Sequence, residues 1–163
     1  MVRFFVSPEE MTGSEIQLTG ENAQHAKVLR LKVNEEVLVC NGIGQEALCR
    51  ITEANGSLWV LTVESLREST TEAAVEVSVY LAFPKADKLE HVIQKATELG
   101  ACEIVAFPSS RCVSKPDEKS LKKKLERWQK IAASAAEQSG RGRIPEVIVL
   151  KSYTEALQRA ILA

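Results

Sequence analysis

The sequence is short of the residues from which reactive centres are most often built. It has two histidines and four cysteines, and Cys40, Cys49, Cys102 and Cys112 form no CxxC pair and have no histidine at ligand spacing. That removes the usual signature of a zinc site, so no metal is expected and the thiols are read as reduced and mostly buried. Aromatic residues make up 5% of the chain, and none stands among the lysines at 119–124, where a stacking platform for unpaired bases would need them. No segment approaches the roughly 20 uncharged apolar residues of a membrane span. The opening Met1-Val-Arg-Phe-Phe-Val-Ser-Pro8 lacks the longer apolar core of a secretory signal, so a cytoplasmic protein without membrane contact is expected.

What is present describes an ordinary globular protein: 163 residues, 45% apolar and 26% charged, enough for one core or two small ones. The net charge of -1 is unevenly spread. Residues 1–70 hold 6 Lys+Arg against 10 Asp+Glu, and residues 71–163 hold 15 against 12. Any nucleic-acid surface is therefore local rather than global.

The first 70 residues read as short strands at Arg3–Val6, Glu36–Cys40, Ala47–Thr52 and Leu58–Val63, with Asn41-Gly42 and Asn55-Gly56 as tight turns. One helix, from about Asn22 to Leu31, interrupts them and gathers Ala23, Ala26, Leu29 and Arg30. This predicts a small β barrel or sandwich. After a polar linker at Arg67–Ala74 the pattern changes. A strand from Val75 to Phe83 stops at Pro84, and a helix capped by Asp87 puts Leu89, Val92, Ile93, Ala96 and Leu99 on one face before Gly100. A strand at Glu103–Phe107, a loop through Pro116, a long helix at about Glu118–Gln138, a strand at Val147–Leu150 and a last helix with a capping box at Ser152-Tyr-Thr-Glu155 follow. Such alternation implies right-handed crossovers and a mainly parallel, here thin, sheet.

Five signals could carry chemistry. Gly42-Ile43-Gly44 with Ala47 imitates a dinucleotide loop but lies between strands, so a hairpin using positive φ is the better reading. His91, Gln94, Lys95 and Glu98 line the polar face of their helix, where a solvated surface is the simpler account. Lys85 follows the carboxyl end of a strand, where open α/β sheets bind ligands. Residues 111–130 carry Arg111, Lys115, Lys119, Lys122, Lys123, Lys124, Arg127 and Lys130 against three acids. They suit phosphates and equally suit a solvated helix. The most unusual stretch is Glu137-Gln-Ser-Gly-Arg-Gly-Arg143, where an amide, a carboxylate and two guanidiniums end a helix. It can read a base edge together with a phosphate, or simply complement the helix dipole.

Together, Met1-Val-Arg-Phe-Phe-Val6, His25-Ala-Lys-Val-Leu-Arg30, Phe83-Pro-Lys-Ala-Asp-Lys-Leu-Glu90, Gln94-Lys-Ala-Thr-Glu-Leu-Gly100, Arg127-Trp128 and Glu137-Gln-Ser-Gly-Arg141 with Pro145 resemble the RsmE family of 16S ribosomal RNA uracil-N3 methyltransferases. The resemblance runs in order over essentially the whole chain. It implies an α+β two-domain fold: a small PUA-like RNA-binding β barrel in 1–70, then the N-terminal part of an α/β SPOUT, or trefoil-knot, methyltransferase domain in 73–163. It implies methyl transfer from S-adenosylmethionine to N3 of one uridine in 16S ribosomal RNA of the small subunit, by a homodimer of the full-length form. By the same resemblance Arg141, Gln138 and Glu137 are the catalytic candidates, Glu137 as proton acceptor. Arg111 and Lys85 are then expected on substrate, with Arg3, Lys27 and Arg30 on RNA backbone.

The family's Gly-Pro-Glu-Gly-Gly type loop and knot are not found in 1–163. The cofactor residues are thus expected beyond Ala163, and this stretch alone is expected to be inactive. Two other readings stay open at this point. One is a non-catalytic RNA-binding protein; the other is a flavodoxin-like nucleotide-binding module, against which Pro84-Lys-Ala-Asp87 offers no phosphate-loop glycine.

Overall fold

The computed structural model describes residues 1–85, 88–112 and 117–162. The chain packs as two units, Met1–Glu72 with Gly140–Arg143, and Ala73–Ser139 with Ile144–Ala163.

In the first unit, strands β1 (Arg3–Phe5), β2 (Glu15–Leu18), β3 (Glu36–Cys40), β4 (Gln45–Ala54) and β5 (Trp59–Glu68) form one sheet in the order β1-β3-β4-β5-β2. Only the β1–β3 pairing is parallel. Register breaks at Leu48/Cys49 and Ile51/Glu53 curl the long β4–β5 ribbon. The barrel read from the sequence is seen as this curled sheet. The apolar face of the sheet, with Phe4, Ile16, Leu18, Val37, Val39, Ile51 and Leu61, closes over helix α1 (Gly20–Val28), which contributes Ala23 and Ala26. Strand β2 has too short an alternation, Glu-Ile-Gln-Leu, to stand out in the sequence, yet both of its apolar residues are core. The Asn41–Gly44 stretch is a hairpin. Gly42 and Gly44 have φ of 75° and 109°, and Asn41 Oδ1 accepts the N–H of Ile43 and of Gln45 at 3.1 Å each. A strand follows it, so no helix N-terminus is available to a phosphate.

Helix α1 is shorter than the sequence suggests. Leu29 already caps it, and Arg30 turns into the left-handed region at φ 56°, while Leu31 N–H reaches back to the Ala26 carbonyl at 3.2 Å. This is the closure that normally takes glycine. Leu29 consequently lies on the surface instead of joining Ala23 and Ala26.

The second unit has a parallel sheet ordered β6 (Ser78–Ala82), β7 (Glu103–Phe107), β8 (Glu146–Val149). Helices α2 (Lys88–Glu98), α3 (Glu118–Ser139) and α4 (Tyr153–Leu162) cover it. Phe83, Leu89, Ile93, Ile104, Trp128, Ala132 and Val147 make its core, following the spacing of α3 and most of that of α2. Two expectations shift. The first strand begins at Ser78, because the last bond of the ladder is Cys102 N–H to the Val77 carbonyl at 2.9 Å, and Val75 and Val77 are exposed. Leu99 is 86% exposed, since α2 ends at Glu98 and Gly100, at φ 97°, turns the chain. Thr97, bonding the Ile93 carbonyl at 2.8 Å, fills the buried stripe in its place. The expected cap Asp87 and the loop residues Lys115 and Pro116 lie outside the described residues. Ser152 caps α4 as its spacing predicts, with Oγ accepting the Glu155 N–H at 3.1 Å.

Candidate nucleic-acid interface

The cations of residues 1–72 fall into two sets. Arg3, Arg50 and Arg67 are committed to carboxylates. Arg50 lies between Glu36 and Glu64 at 2.6 and 2.5 Å on the surface. Arg3 and Arg67 both grip Glu46, at 3.0 and 2.8 Å, and Glu46 is 1% exposed. A buried carboxylate needs this much compensation, because desolvating an ion costs several kcal/mol. Lys27, Arg30 and Lys32 form the second set. All three are exposed at the end of α1, and none makes a side-chain ion pair or hydrogen bond among the described residues. Sequence reasoning identified Lys27 and Arg30 but not Lys32, which becomes a neighbour only because Arg30 reverses the chain. The acidic domain thus keeps one small positive patch, beside the exposed side chains of Val28, Leu29 and Val33.

Arg3 belongs to the interior. Its guanidinium is 9% exposed and donates to Glu46, to the Cys40 sulfur at 3.0 Å and to the Arg141 carbonyl at 3.1 Å. Burial raises the Cys40 thiol, Arg3 opposing, and pushes Cys49 up to about 11, so neither is a ready nucleophile near neutrality.

Arg141 is likewise interior, at 4% exposure. The segment Gly140–Arg143 leaves α3 through Gly140, at φ 74°, and packs in the first unit, where Gly42 and Ile43 bridge to Arg143. Glu72 organises it. One carboxylate oxygen accepts the Arg141 guanidinium at 2.6 Å, and the other accepts the backbone N–H groups of Gly142 and Arg143 at 2.9 and 3.0 Å. Burial pulls the Glu72 carboxyl upward, but the Arg141 hydrogen bond and charge and the two N–H groups outweigh it, and the group titrates below its ordinary value. The sequence places Arg141 at a helix end free to meet a substrate. What it does not show is the carboxylate 69 residues earlier in the chain.

In the second unit Lys85 and Arg111 are exposed at the carboxyl ends of β6 and β7. Their loops are tied together where Cys112 Sγ donates to the Phe83 carbonyl at 3.3 Å and Phe83 N–H to the Phe107 carbonyl at 2.9 Å. On α3, Lys119, Lys122, Lys123 and Lys124 face solvent, Arg127 pairs with Glu90 at 2.8 Å, and Trp128 turns inward onto Phe83. Gln138 is exposed and lines an open groove of about 220 Å³ with Gln94, Ile131, Ser134 and Ala135. Glu137 is half-buried one residue earlier. The groove is smaller than the sites that take drug-sized ligands. Gln94 donates to Glu98 at 3.0 Å, which leaves its amide oxygen to accept. Among the described residues no three His, Cys, Asp or Glu gather as metal ligands, and no helix is long and apolar enough to cross a membrane.

Comparison with known proteins agrees with this geometry. The RNA methyltransferase PUA domain family matches residues 18–63, and the RNA methyltransferase domain family matches residues 71–161. The chain is 37% identical over 98% of its length to ribosomal RNA small subunit methyltransferase E of Bacillus subtilis, of which it covers 64%. It is 32% identical over 98% of its length to the protein of that name from Mesomycoplasma hyopneumoniae, covering 67%. The crystal structure of ribosomal RNA small subunit methyltransferase E from Neisseria gonorrhoeae, bound to S-adenosyl methionine, superposes with a TM-score of 0.86 over 98% of the chain and 66% of its own, at 29% identity. The chain thus spans just under two thirds of the Bacillus and Neisseria proteins. With an RNA methyltransferase PUA domain followed directly by an RNA methyltransferase domain, it belongs to the family of the ribosomal RNA small subunit methyltransferases E.

Proposed function

We propose that these residues bind small-subunit 16S ribosomal RNA for S-adenosylmethionine-dependent methylation of uridine N3, in a cytoplasmic protein that works as a homodimer. The observation that carries the reading is the pairing of an RNA-binding domain whose unpaired cations gather at one helix end with a matched methyltransferase domain. In the first unit Lys27, Arg30 and Lys32 meet backbone phosphates, and in the second unit Lys119, Lys122, Lys123 and Lys124 do the same. Lys85 and Arg111, at the strand ends where α/β sheets place ligands, take the phosphate beside the target nucleotide. Gln138 offers a donor and an acceptor to the displaced base, and Glu137 takes the N3 proton. Arg3 and Arg141 act inside the first unit and do not touch the uracil.

S-adenosylmethionine supplies the electrophilic methyl group when bound, and the Neisseria relative is described bound to it. Lys85 and Arg111, at the carboxyl ends of β6 and β7, are cations, suited to a phosphate and not to a sulfonium. Deleting the gene that encodes these residues and analysing nucleosides of small-subunit RNA tests the proposal. Loss of 3-methyluridine, restored by complementation, is expected. An unchanged 3-methyluridine level, or loss of a different methylated nucleoside, overturns it.

A further inference from the structure

The Glu72 carboxylate is bound as a ligand would be. A guanidinium and two successive backbone N–H groups converge on it, the arrangement proteins use to hold an anion. From the other side Arg3 donates to the Arg141 carbonyl while Glu46 holds Arg3. Gly142 leaves no clearance, since a Cβ there would lie 2.3 Å from the Ser69 hydroxyl and 2.4 Å from its Cβ. Four residues, none of them exposed, are thus fixed by a carboxylate, an arginine and a steric stop.

This loop leads directly out of α3, and Glu137 and Gln138 stand immediately before it. We propose that Glu72 is a positioning residue for RNA binding: it holds Gly140–Arg143, the segment that follows Glu137 and Gln138 directly in the chain. The inference rests on the RNA-binding reading above. Arg141 acts with Glu72 in this role, and its side chain works through the backbone it anchors.

The test measures affinity of the full 163-residue chain for a transcribed small-subunit ribosomal RNA fragment, by fluorescence anisotropy over a salt series, at a temperature where circular dichroism shows each variant folded. Glu72→Ala removes all three contacts. Glu72→Gln keeps an oxygen for the two N–H groups and loses the charge and the acceptor that faces Arg141, which provides a milder variant should the first fail to fold. Gly142→Ala displaces the segment without touching Glu72, and Ser69→Gly in the same chain restores its room.

Glu72→Ala and Gly142→Ala should each weaken RNA binding roughly 3- to 30-fold, with Glu72→Gln between them and wild type. The salt slope should stay constant, because no phosphate contact is removed. Gly142→Ala with Ser69→Gly should recover the affinity. Hydrogen exchange at the Gly142 and Arg143 amides should quicken in Glu72→Ala. If exchange quickens while RNA affinity holds, the clamp is purely structural and the inference is overturned. If the wild-type chain does not bind the fragment at all, the RNA reading beneath it fails first.

Discussion

Arg3 and Arg30 lie 27 positions apart in the same domain, and their environments are opposite. Arg3 is in a strand, surrounded by Glu46, Cys40 and a carbonyl, and has almost no exposed surface. Arg30 is at a helix end in a backbone conformation that suits glycine, and its side chain has no partner among the described residues. One guanidinium is consumed by the fold, while the other costs the fold something and is left available. Residue type and local sequence do not separate these cases, because the acids that occupy Arg3 and Arg141 are Glu46 and Glu72, 43 and 69 residues away. For the RNA contact proposed above, the difference teaches where to look: among cations the fold leaves unpaired, not among arginines in general.

Breaking the committed set should have the largest effect on folding. Glu46→Ala leaves Arg3 buried beside a cavity without its counter-ion, and removing one partner of a buried pair costs about 3 to 5 kcal/mol. The urea midpoint should fall accordingly, whereas Glu64→Gln, which frees an exposed Arg50 still held by Glu36, should hardly move it. Equal shifts for the two variants would erase the distinction drawn above.

Changing Lys122, Lys123 and Lys124 together to Gln should do the reverse. These side chains are exposed, so stability should be nearly unchanged, while RNA affinity falls for every sequence and the slope of log affinity against log salt decreases by roughly 0.7 per lost phosphate contact. A slope identical to wild type would return this helix face to ordinary solvation.

Much of the architecture was legible because periodicity and turn chemistry act locally. Trp128, Ala132 and Ala135 lie inward on α3 as their spacing requires, and the Asn41-Gly42 hairpin and the Ser152 cap form where their residues indicate. The α+β character and the family follow from the same local motifs. What was not legible depends on contacts distant in sequence. The return of Gly140–Arg143 to the first unit needs Glu72, a residue that reads as part of a featureless polar linker. The grouping of Lys32 with Lys27 and Arg30 needs a left-handed residue where no glycine announces one. Leu99 continued an apolar stripe on paper, but its helix stops one residue earlier.

The smallest effect, and the sharpest on the comparison, is expected at Arg30. A non-glycine residue in the left-handed region carries about 1 to 2 kcal/mol of backbone strain, and glycine at the same place loses roughly 0.5 to 1 kcal/mol through the greater freedom of its unfolded chain. Arg30→Gly should therefore stabilise the protein by about 0 to 1.5 kcal/mol, a small rise in the urea midpoint. The same substitution removes one of three unpaired cations at the end of α1, so RNA affinity should drop a few-fold and the salt slope should lessen by about one contact. Arg30→Asn separates the two contributions, since asparagine tolerates the left-handed region and carries no charge. It should match glycine in RNA binding and lie between arginine and glycine in stability. A residue kept for the fold loses stability when replaced, and one kept for a partner loses affinity while stability holds or improves. If Arg30→Gly destabilises the chain and leaves RNA binding intact, Arg30 belongs with Arg3 and the patch at the end of α1 is not the RNA contact.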